Sequence, residues 1–247
     1  MELSEFFTAH PKLALGFSGG TDSAYLLYEA MQNGVDIRPY YVQTQFQPQF
    51  ELDDARRLCD QLGVQLCVIE IDVLADEQVR ANPADRCYWC KSRLFGTLLE
   101  RARADGYAEI MDGTNASDDA GDRPGMRALK EMRVLSPLRL CGITKAEVRA
   151  RSKAAGLFTH DKPAYACLAT RIPTGTAIDA ETLQRVERAE GALMNMGYRD
   201  FRVRVTAAGA KLQLKPEQME KLLAEREQVY ALLQPDFGSV MLDLKAR

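Results

Sequence analysis

Ser18-Gly19-Gly20-Thr21-Asp22-Ser23 follows directly on the apolar run Lys12 to Phe17, a glycine turn set between a strand pattern and a helix pattern. Paired glycines reach dihedrals closed to other residues, so amide N–H groups can converge on anionic oxygens, and the positive end of the next helix adds attraction. Ser18 and Ser23 add hydroxyl donors. The chemistry expected is binding of the polyphosphate of ATP by Ser18, Gly19, Gly20 and Ser23. No lysine follows the glycines, which sets the stretch apart from the Gly-x-x-x-x-Gly-Lys-Ser/Thr pattern, whose ammonium reaches the β- and γ-phosphates. Asp22 beside phosphate would repel the nucleotide unless it holds Mg²⁺ or caps the helix that follows, and both roles are open to it. An ordinary strand-to-helix turn with an aspartate cap is the competing reading.

Thiols form the second constellation. Cys87-Tyr88-Trp89-Cys90 is a Cys-x-x-Cys pair, and Cys167 lies in a segment, Lys162 to Arg171, without core periodicity. Zinc ordinarily takes four ligands, whereas a four-iron cluster held by three cysteines keeps one iron open to an outside ligand. A Cys-x-x-Cys pair alone also fits a thioredoxin-like disulfide. Cys59, Cys67 and Cys141 sit in apolar patterns and are expected to be simply buried. His10 and His160 are the only histidines, which argues against a zinc site built on imidazole. Trp89 reads as a pocket-wall aromatic or as a stacking platform.

Several further side chains could touch a bound nucleotide. Arg202-Val203-Arg204 in a strand pattern puts two guanidiniums on one face, able to grip a phosphate bidentately or simply to stay solvated. Gly113-Thr114-Asn115 and Asp118 follow a strand pattern and fit either nucleotide contacts or plain turn chemistry. Arg123-Pro124-Gly125 could present a cation at a helix start, and Lys91 could neutralise phosphate or cluster charge.

The elements that must position these residues alternate. Strand patterns at 12–17, 37–42, 64–71 and 107–111 are interleaved with helix patterns over 22–34, through Ala55, Leu58 and Leu62, and over 91–104. This predicts an α/β fold, a doubly wound parallel sheet covered on both faces, with ligands beyond the carboxyl ends of the strands. Thr144 to Glu147 has capping-box spacing and opens a further helix that stops near Gly156. Residues 157–178, rich in Pro, Gly and Thr, read as a linker. After it come a helix from Asp179, strands at 199–206 and 211–214, a helical stretch over 217–233 and a last strand at 239–244. The expected division is a nucleotide-binding domain over 1–165 and a smaller C-terminal α/β domain over 166–247. With 247 residues, 46% of them hydrophobic, the chain can bury a core. A net charge of −3 argues against wholesale capture of nucleic acid. No signal-peptide pattern and no run of about 18 apolar residues are present, so a soluble, cytoplasmic protein without membrane partners is expected.

The hexapeptide in its strand–helix setting resembles the PP-loop of ATP pyrophosphatases, which cleave ATP between the α- and β-phosphates and adenylate a substrate. With Arg86 to Lys91, Gly113 to Asn115, Arg123 to Gly125 and Cys167 to Pro173, the chain resembles the LarE family, ATP-dependent sulfur transferases of nickel-pincer nucleotide biosynthesis. The resemblance implies adenylation of a carboxylate of pyridinium-3,5-biscarboxylic acid mononucleotide, then attack by sulfur to give a thiocarboxylate. It implies catalytic roles for Cys87, Cys90 and Cys167, which would hold a [4Fe-4S] cluster carrying the sulfide, or a sacrificial role for Cys167 alone. It implies nucleotide contacts at Gly113 and Thr114, and substrate contacts at Arg202, Arg204, Lys91, Arg123, Arg171, Glu190 and Trp89. The resemblance also implies a homo-oligomer, with a hexamer as the candidate assembly; it does not imply the sulfur donor. One departure stands out: where the family commonly has Ile-Glu after its Arg-x-Arg, this chain has Leu212-Gln213. The related alternatives are transfer-RNA thiolation, an amide ligase indifferent to the three cysteines, and a non-catalytic nucleotide sensor with a structural zinc site.

Overall fold

The computed structural model describes residues 1–118 and 124–245. The chain divides into two compact units, Met1–Val73 with Asp85–Lys162, and Leu74–Ala84 with Pro163–Arg247. The first unit begins with α1 (Leu3–Ala9), β1 (Lys12–Gly16), α2 (Thr21–Gln32), β2 (Asp36–Gln43), α3 (Gln49–Leu62) and β3 (Cys67–Glu70). After α4 (Glu77–Arg80), which belongs to the second unit, it continues with α5 (Arg86–Ala104), β4 (Ile110–Met111), α6 (Pro124–Glu131), α7 (Pro137–Leu140) and α8 (Lys145–Ala154).

Its sheet has the order β3-β2-β1-β4, all parallel, as the alternation of elements predicts. Side chains on a strand alternate between faces, and the core divides accordingly. Leu13 and Leu15 of β1 and Tyr41 of β2 pack with Leu26, Leu27 and Leu58 from α2 and α3, while Ala14 and Tyr40 pack with Leu98 and Ala102 of α5. Both faces are therefore covered, as a parallel sheet requires. Two boundaries differ from expectation. The fourth strand is only Ile110–Met111, extended by a bridge from Met111 to Leu135. Helix α5 starts at Arg86, five residues ahead of the predicted start, so it carries the Cys-x-x-Cys pair.

The second unit holds α9 (Ala180–Asn195), β5 (Arg202–Thr206), β6 (Gly209–Gln213), α10 (Met219–Ala224), α11 (Arg226–Phe237) and β7 (Val240–Leu242). Asp179 caps α9 as its position predicts, accepting from Thr182 N at 2.7 Å. The strands form a sheet ordered β5-β6-β7, antiparallel between the first two and parallel between the last two. Leu193 of α9, Val203, Leu212, Leu222 and Val229 close its core. The helical stretch predicted over 217–233 is two helices broken at Glu225. Leu74–Ala84 joins this unit through Asn82, whose side-chain amide donates to the carbonyls of Pro173 at 2.8 Å and Thr176 at 3.1 Å. Among the described residues no helix is long and apolar enough to cross a membrane.

Candidate active site

The phosphate loop occupies the β1–α2 turn at the carboxyl end of β1. Gly19 has φ +67°, and a Cβ there would lie 3.0 Å from that of Ala55 and 3.1 Å from the Glu51 carbonyl oxygen, so both dihedral and space demand glycine. Ser18 and Ser23 stitch the turn together. Their hydroxyls are 3.1 Å apart, Gly20 N donates to Ser18 Oγ at 3.3 Å, and Ser18 N donates to Ser23 Oγ at 3.3 Å. The N-cap of α2 is Gly20, which has no side chain to bond the N–H groups of Thr21, Asp22 and Ser23. Such a helix start can give its backbone donors to an anion.

Asp22 is the second residue of α2, so the capping role open to it in the sequence is corrected: Gly20 occupies that position. The carboxylate instead accepts from Lys145 Nζ at 2.5 Å and from Asn115 Nδ2 at 3.3 Å. Gly113, from the turn after β4, makes this junction possible, because a Cβ on it would sit 2.8 Å from Ser23 N and 3.2 Å from Asp22 Cβ. Thr114 is bound to buried Asp112, donating from Oγ1 at 2.6 Å and from N at 3.2 Å, and Ser136 Oγ reaches the same carboxylate at 2.8 Å. Asp118 accepts from Asn115 N at 2.9 Å, closing the turn.

Two cations that sequence reasoning missed stand at the loop. Lys145 is the first residue of α8, behind a capping box in which Thr144 N donates to Glu147 at 2.8 Å and Glu147 N to Thr144 Oγ1 at 3.3 Å. Lys162 ends the unit, with Nζ 2.7 Å from Asp54 of α3 and 3.4 Å from the Gly19 carbonyl. The capping box was legible and fixes the direction of Lys145; no local signal pointed to Lys162.

Cys87 and Cys90 lie in the first two turns of α5, three residues apart and so on one helical face, Cys87 exposed and Cys90 half-buried. Arg86 Nη2 approaches Cys87 Sγ at 3.7 Å. Soft-metal ligation fits such a pair. Within neither unit do the described residues gather three or more His, Cys, Asp or Glu as a metal site. Trp89 donates from Nε1 to Asp85 at 3.1 Å and packs edge-on against Tyr88, centroids 5.0 Å apart. Lys91 lays its stem along Gly125, where a Cβ would come within 3.0 Å of Lys91 Cδ. Arg123 lies outside the described residues.

In the second unit the half-buried Cys167 precedes a one-turn 3₁₀ helix, Leu168–Arg171, and its carbonyl accepts from Thr170 Oγ1 at 2.8 Å. Arg171 is fully buried. It meets Glu190 bidentately, at 2.9 and 2.8 Å, and its Nη1 donates to the carbonyls of Ala166 at 2.6 Å and Cys167 at 3.2 Å. Glu190 also accepts from Tyr165 Oη and from Val203 N, the latter at 2.8 Å. Arg202 and Arg204 share the β5 face opposite buried Val203, as the alternation predicts. Arg202 Nη2 donates to Ala164 O at 2.8 Å and Arg204 Nη1 to Thr170 O at 2.7 Å. Gln213 bonds Arg204 through Oε1 and Asp243 through Nε2, the latter at 2.8 Å. Three arginines thus converge on the backbone of residues 164–170.

Residues 12–85 match the family described as queuosine biosynthesis protein QueC. An uncharacterized protein of Synechocystis sp. is 39% identical over 227 residues, covering 90% of this chain and 84% of that protein. Pyridinium-3,5-bisthiocarboxylic acid mononucleotide synthase of Lactiplantibacillus plantarum is 28% identical over 236 residues, 94% of this chain and 86% of that enzyme. A tRNA-specific 2-thiouridylase of Clostridium beijerinckii is 28% identical, but over 61% of this chain and 53% of its own length. The chain belongs to the LarE family of PP-loop proteins, ATP-dependent enzymes of sulfur transfer.

Proposed function

We propose that this protein converts a carboxylate of pyridinium-3,5-biscarboxylic acid mononucleotide into a thiocarboxylate at the expense of ATP. The observation that carries the reading is the uncapped glycine turn whose Asp22 is held between Lys145 and Asn115. The similarity to the L. plantarum synthase over 94% of the chain supports the choice of acceptor. A carboxylate resists attack by sulfur because it would have to expel oxide. In the activating step a substrate carboxylate oxygen bonds the α-phosphorus, the bond from that phosphorus to the bridging oxygen breaks, and pyrophosphate leaves. Backbone N–H groups of the turn and the hydroxyls of Ser18 and Ser23 would hold the phosphates.

Asp22 fits Mg²⁺ as a hard, partly exposed carboxylate, with phosphate and water oxygens completing the shell. Magnesium there would offset the charge that develops on pyrophosphate. Lys145, now on Asp22, would remain beside the carboxylate as a second cation for phosphate.

The sulfur source we favour is a four-iron cluster held by Cys87, Cys90 and Cys167; the one-turn spacing of the first two supports it. Bound there, it would supply an inorganic sulfide. In the sacrificial alternative, Cys167 Sγ bonds the acyl carbon as the acyl–oxygen bond to AMP breaks; loss of the Cys167 Cα proton then drives cleavage of its Cβ–S bond. Thiocarboxylate and dehydroalanine result. In either version Arg171, Arg202 and Arg204 hold the backbone that presents Cys167, and the assembly expected is a homo-oligomer in the cytoplasm.

The test is anaerobic purification with iron and sulfide analysis, then ATP and the biscarboxylic acid nucleotide, with pyrophosphate and product mass followed. Pyrophosphate release with a thiocarboxylate product is expected. A colourless, iron-free protein after anaerobic reconstitution removes the cluster, and product formed together with protein whose Cys167 has lost the mass of one H₂S establishes the sacrificial route. Tight binding of tRNA at physiological salt would favour thiolation of RNA instead.

A further inference from the structure

The Phe158–Asp161 turn and Lys162 are fastened to the phosphate loop at several points, all within the first unit. Thr21 Oγ1, on the first residue of α2, donates to the buried Thr159 carbonyl at 2.8 Å. Arg149 of α8 spreads its guanidinium over two carbonyls, His160 at 2.8 Å and Lys162 at 2.7 Å. Lys162 itself closes the set, its ammonium between Asp54 at 2.7 Å and the Gly19 carbonyl at 3.4 Å. Its side chain is only 13% exposed, a strong commitment for a residue type that normally stays solvated.

The chain then changes character. Pro163 cannot continue a helix and pushes the residue before it into extended backbone; Lys162 obeys, with φ −56° and ψ 124°. The first unit ends there, and Cys167 is the fifth residue beyond it. Five residues span at most about 18 Å when fully extended. The far end of this tether is held just as firmly inside the second unit, by Arg202 on Ala164 and Arg171 on Ala166 and Cys167.

We propose that Lys162 is a positioning residue for sulfur transfer. Its ammonium, clamped on Asp54 and Gly19, registers the short Cys167 tether to the loop where the acyl-adenylate forms. The role rests on the proposed reaction and deepens it: activation of the carboxylate does not need Lys162, and delivery of sulfur does. A group displaced by about 1 Å loses of the order of 10²-fold in rate, so a loosened tether weighs on the second half-reaction.

Lys162→Gln and Asp54→Asn test this, with Lys162→Arg as the conservative rescue. Substrate-dependent exchange of labelled pyrophosphate into ATP reads the first half-reaction, and thiocarboxylate formation reads the second. The expected result for both disruptive variants is exchange within about 3-fold of wild type, an unchanged KM for ATP, and sulfur transfer lowered about 10-fold or more; Lys162→Arg recovers most of it. A parallel fall of both half-reactions with a raised KM for ATP would make Lys162 a phosphate ligand and overturn the proposal, as would full sulfur transfer in both variants. Hydrogen exchange of the intact protein gives a second arm that needs no turnover. Lys162→Gln is expected to speed amide exchange in 160–167 while α2 and β1 keep their protection; unchanged protection in 160–167 overturns the anchoring role. Absence of pyrophosphate exchange in the wild type counts against the proposed reaction, and the hydrogen-exchange arm then still decides the anchor.

Discussion

At the phosphate loop the charged side chains stay partly in water, Asp22 22% exposed and Lys145 31%, whereas near Cys167 the Arg171–Glu190 pair is 0% and 1% exposed. The difference lies in what each charge is bonded to. Among the described residues Lys145 pairs with one carboxylate, which it can trade for a phosphate with little desolvation. Arg171 has a carboxylate on one edge and two backbone carbonyls on the other, so moving it would strand several buried polar groups. Charge that must answer a ligand is left near solvent; charge that must hold backbone still is buried and saturated.

The strongest way to break this comparison is to remove one member of the buried pair. Arg171→Met takes the bidentate cation away from the buried Glu190 carboxylate. A loss of about 3–5 kcal/mol in chemical denaturation of the full chain is expected. Arg171→Met combined with Glu190→Met should lose less than the two single losses added, because no orphan charge remains. A single-variant loss below about 1 kcal/mol, the size seen for exposed pairs, would place Arg171 with the surface cations after all.

Gly113→Ala probes the other region through shape rather than charge. The new methyl carbon meets the Ser23 amide at 2.8 Å, closer than real Cβ contacts come, so the turn after β4 has to back away from the start of α2. Overpacking of this kind costs about 1–3 kcal/mol. Because the displaced atoms are the donors proposed to hold phosphate, weaker ATP binding in titration calorimetry should accompany the lower denaturation midpoint. Stability lost with ATP affinity intact would mean that the loop is looser than its hydrogen bonds imply.

Lys145→Met separates ligand-facing charge from structural charge. Its partly exposed pair with Asp22 contributes at most about 1 kcal/mol to folding, so the denaturation midpoint should hardly move. A charge-assisted bond to phosphate contributes about 1.5–3 kcal/mol, so MgATP should bind roughly 10- to 100-fold more weakly. The opposite outcome, a destabilised protein with normal nucleotide affinity, would erase the contrast with Arg171.

What was legible in the sequence follows the same division. The phosphate loop is six contiguous residues after a strand pattern, and backbone donors need no distant partner to be recognised. Lys145 could have been found, since the Thr144–Glu147 capping box fixes where α8 begins and therefore where its first side chain stands. Arg171 and Glu190 are 19 residues apart, on a 3₁₀ turn and a helix, and no periodicity links them. The early start of α5 was hidden because Arg86 to Cys90 has no apolar rhythm and Asp85 makes no capping bond. Leu74–Ala84 joins the second unit through Asn82, held in the left-handed region at φ 54° to reach two carbonyls, a pairing that only folding reveals.

Gln213 supplies the finest test, because it sits where the family resemblance would place a glutamate. Its Nε2–H and the ammonium of Lys211, 3.0 Å away, both stabilise the Asp243 carboxylate, and the Lys245 amide adds a third donor. The Gln213 hydrogen bond is the largest cause, and together they hold the Asp243 carboxyl at about 2, below its ordinary 3.8. A depressed folded-state value favours folding above the unfolded value, and that contribution disappears as pH falls from about 3.8 through about 2. The denaturation midpoint of the wild type should therefore drop across that window, and Asp243→Asn should flatten this part of the slope. Gln213→Glu replaces the donor by a second carboxylate, so the loss should begin at higher pH while Arg204 keeps an acceptor. If Gln213→Glu instead follows the wild-type curve, the amide donor contributes nothing to Asp243, and Lys211 with the backbone amide carries the whole shift.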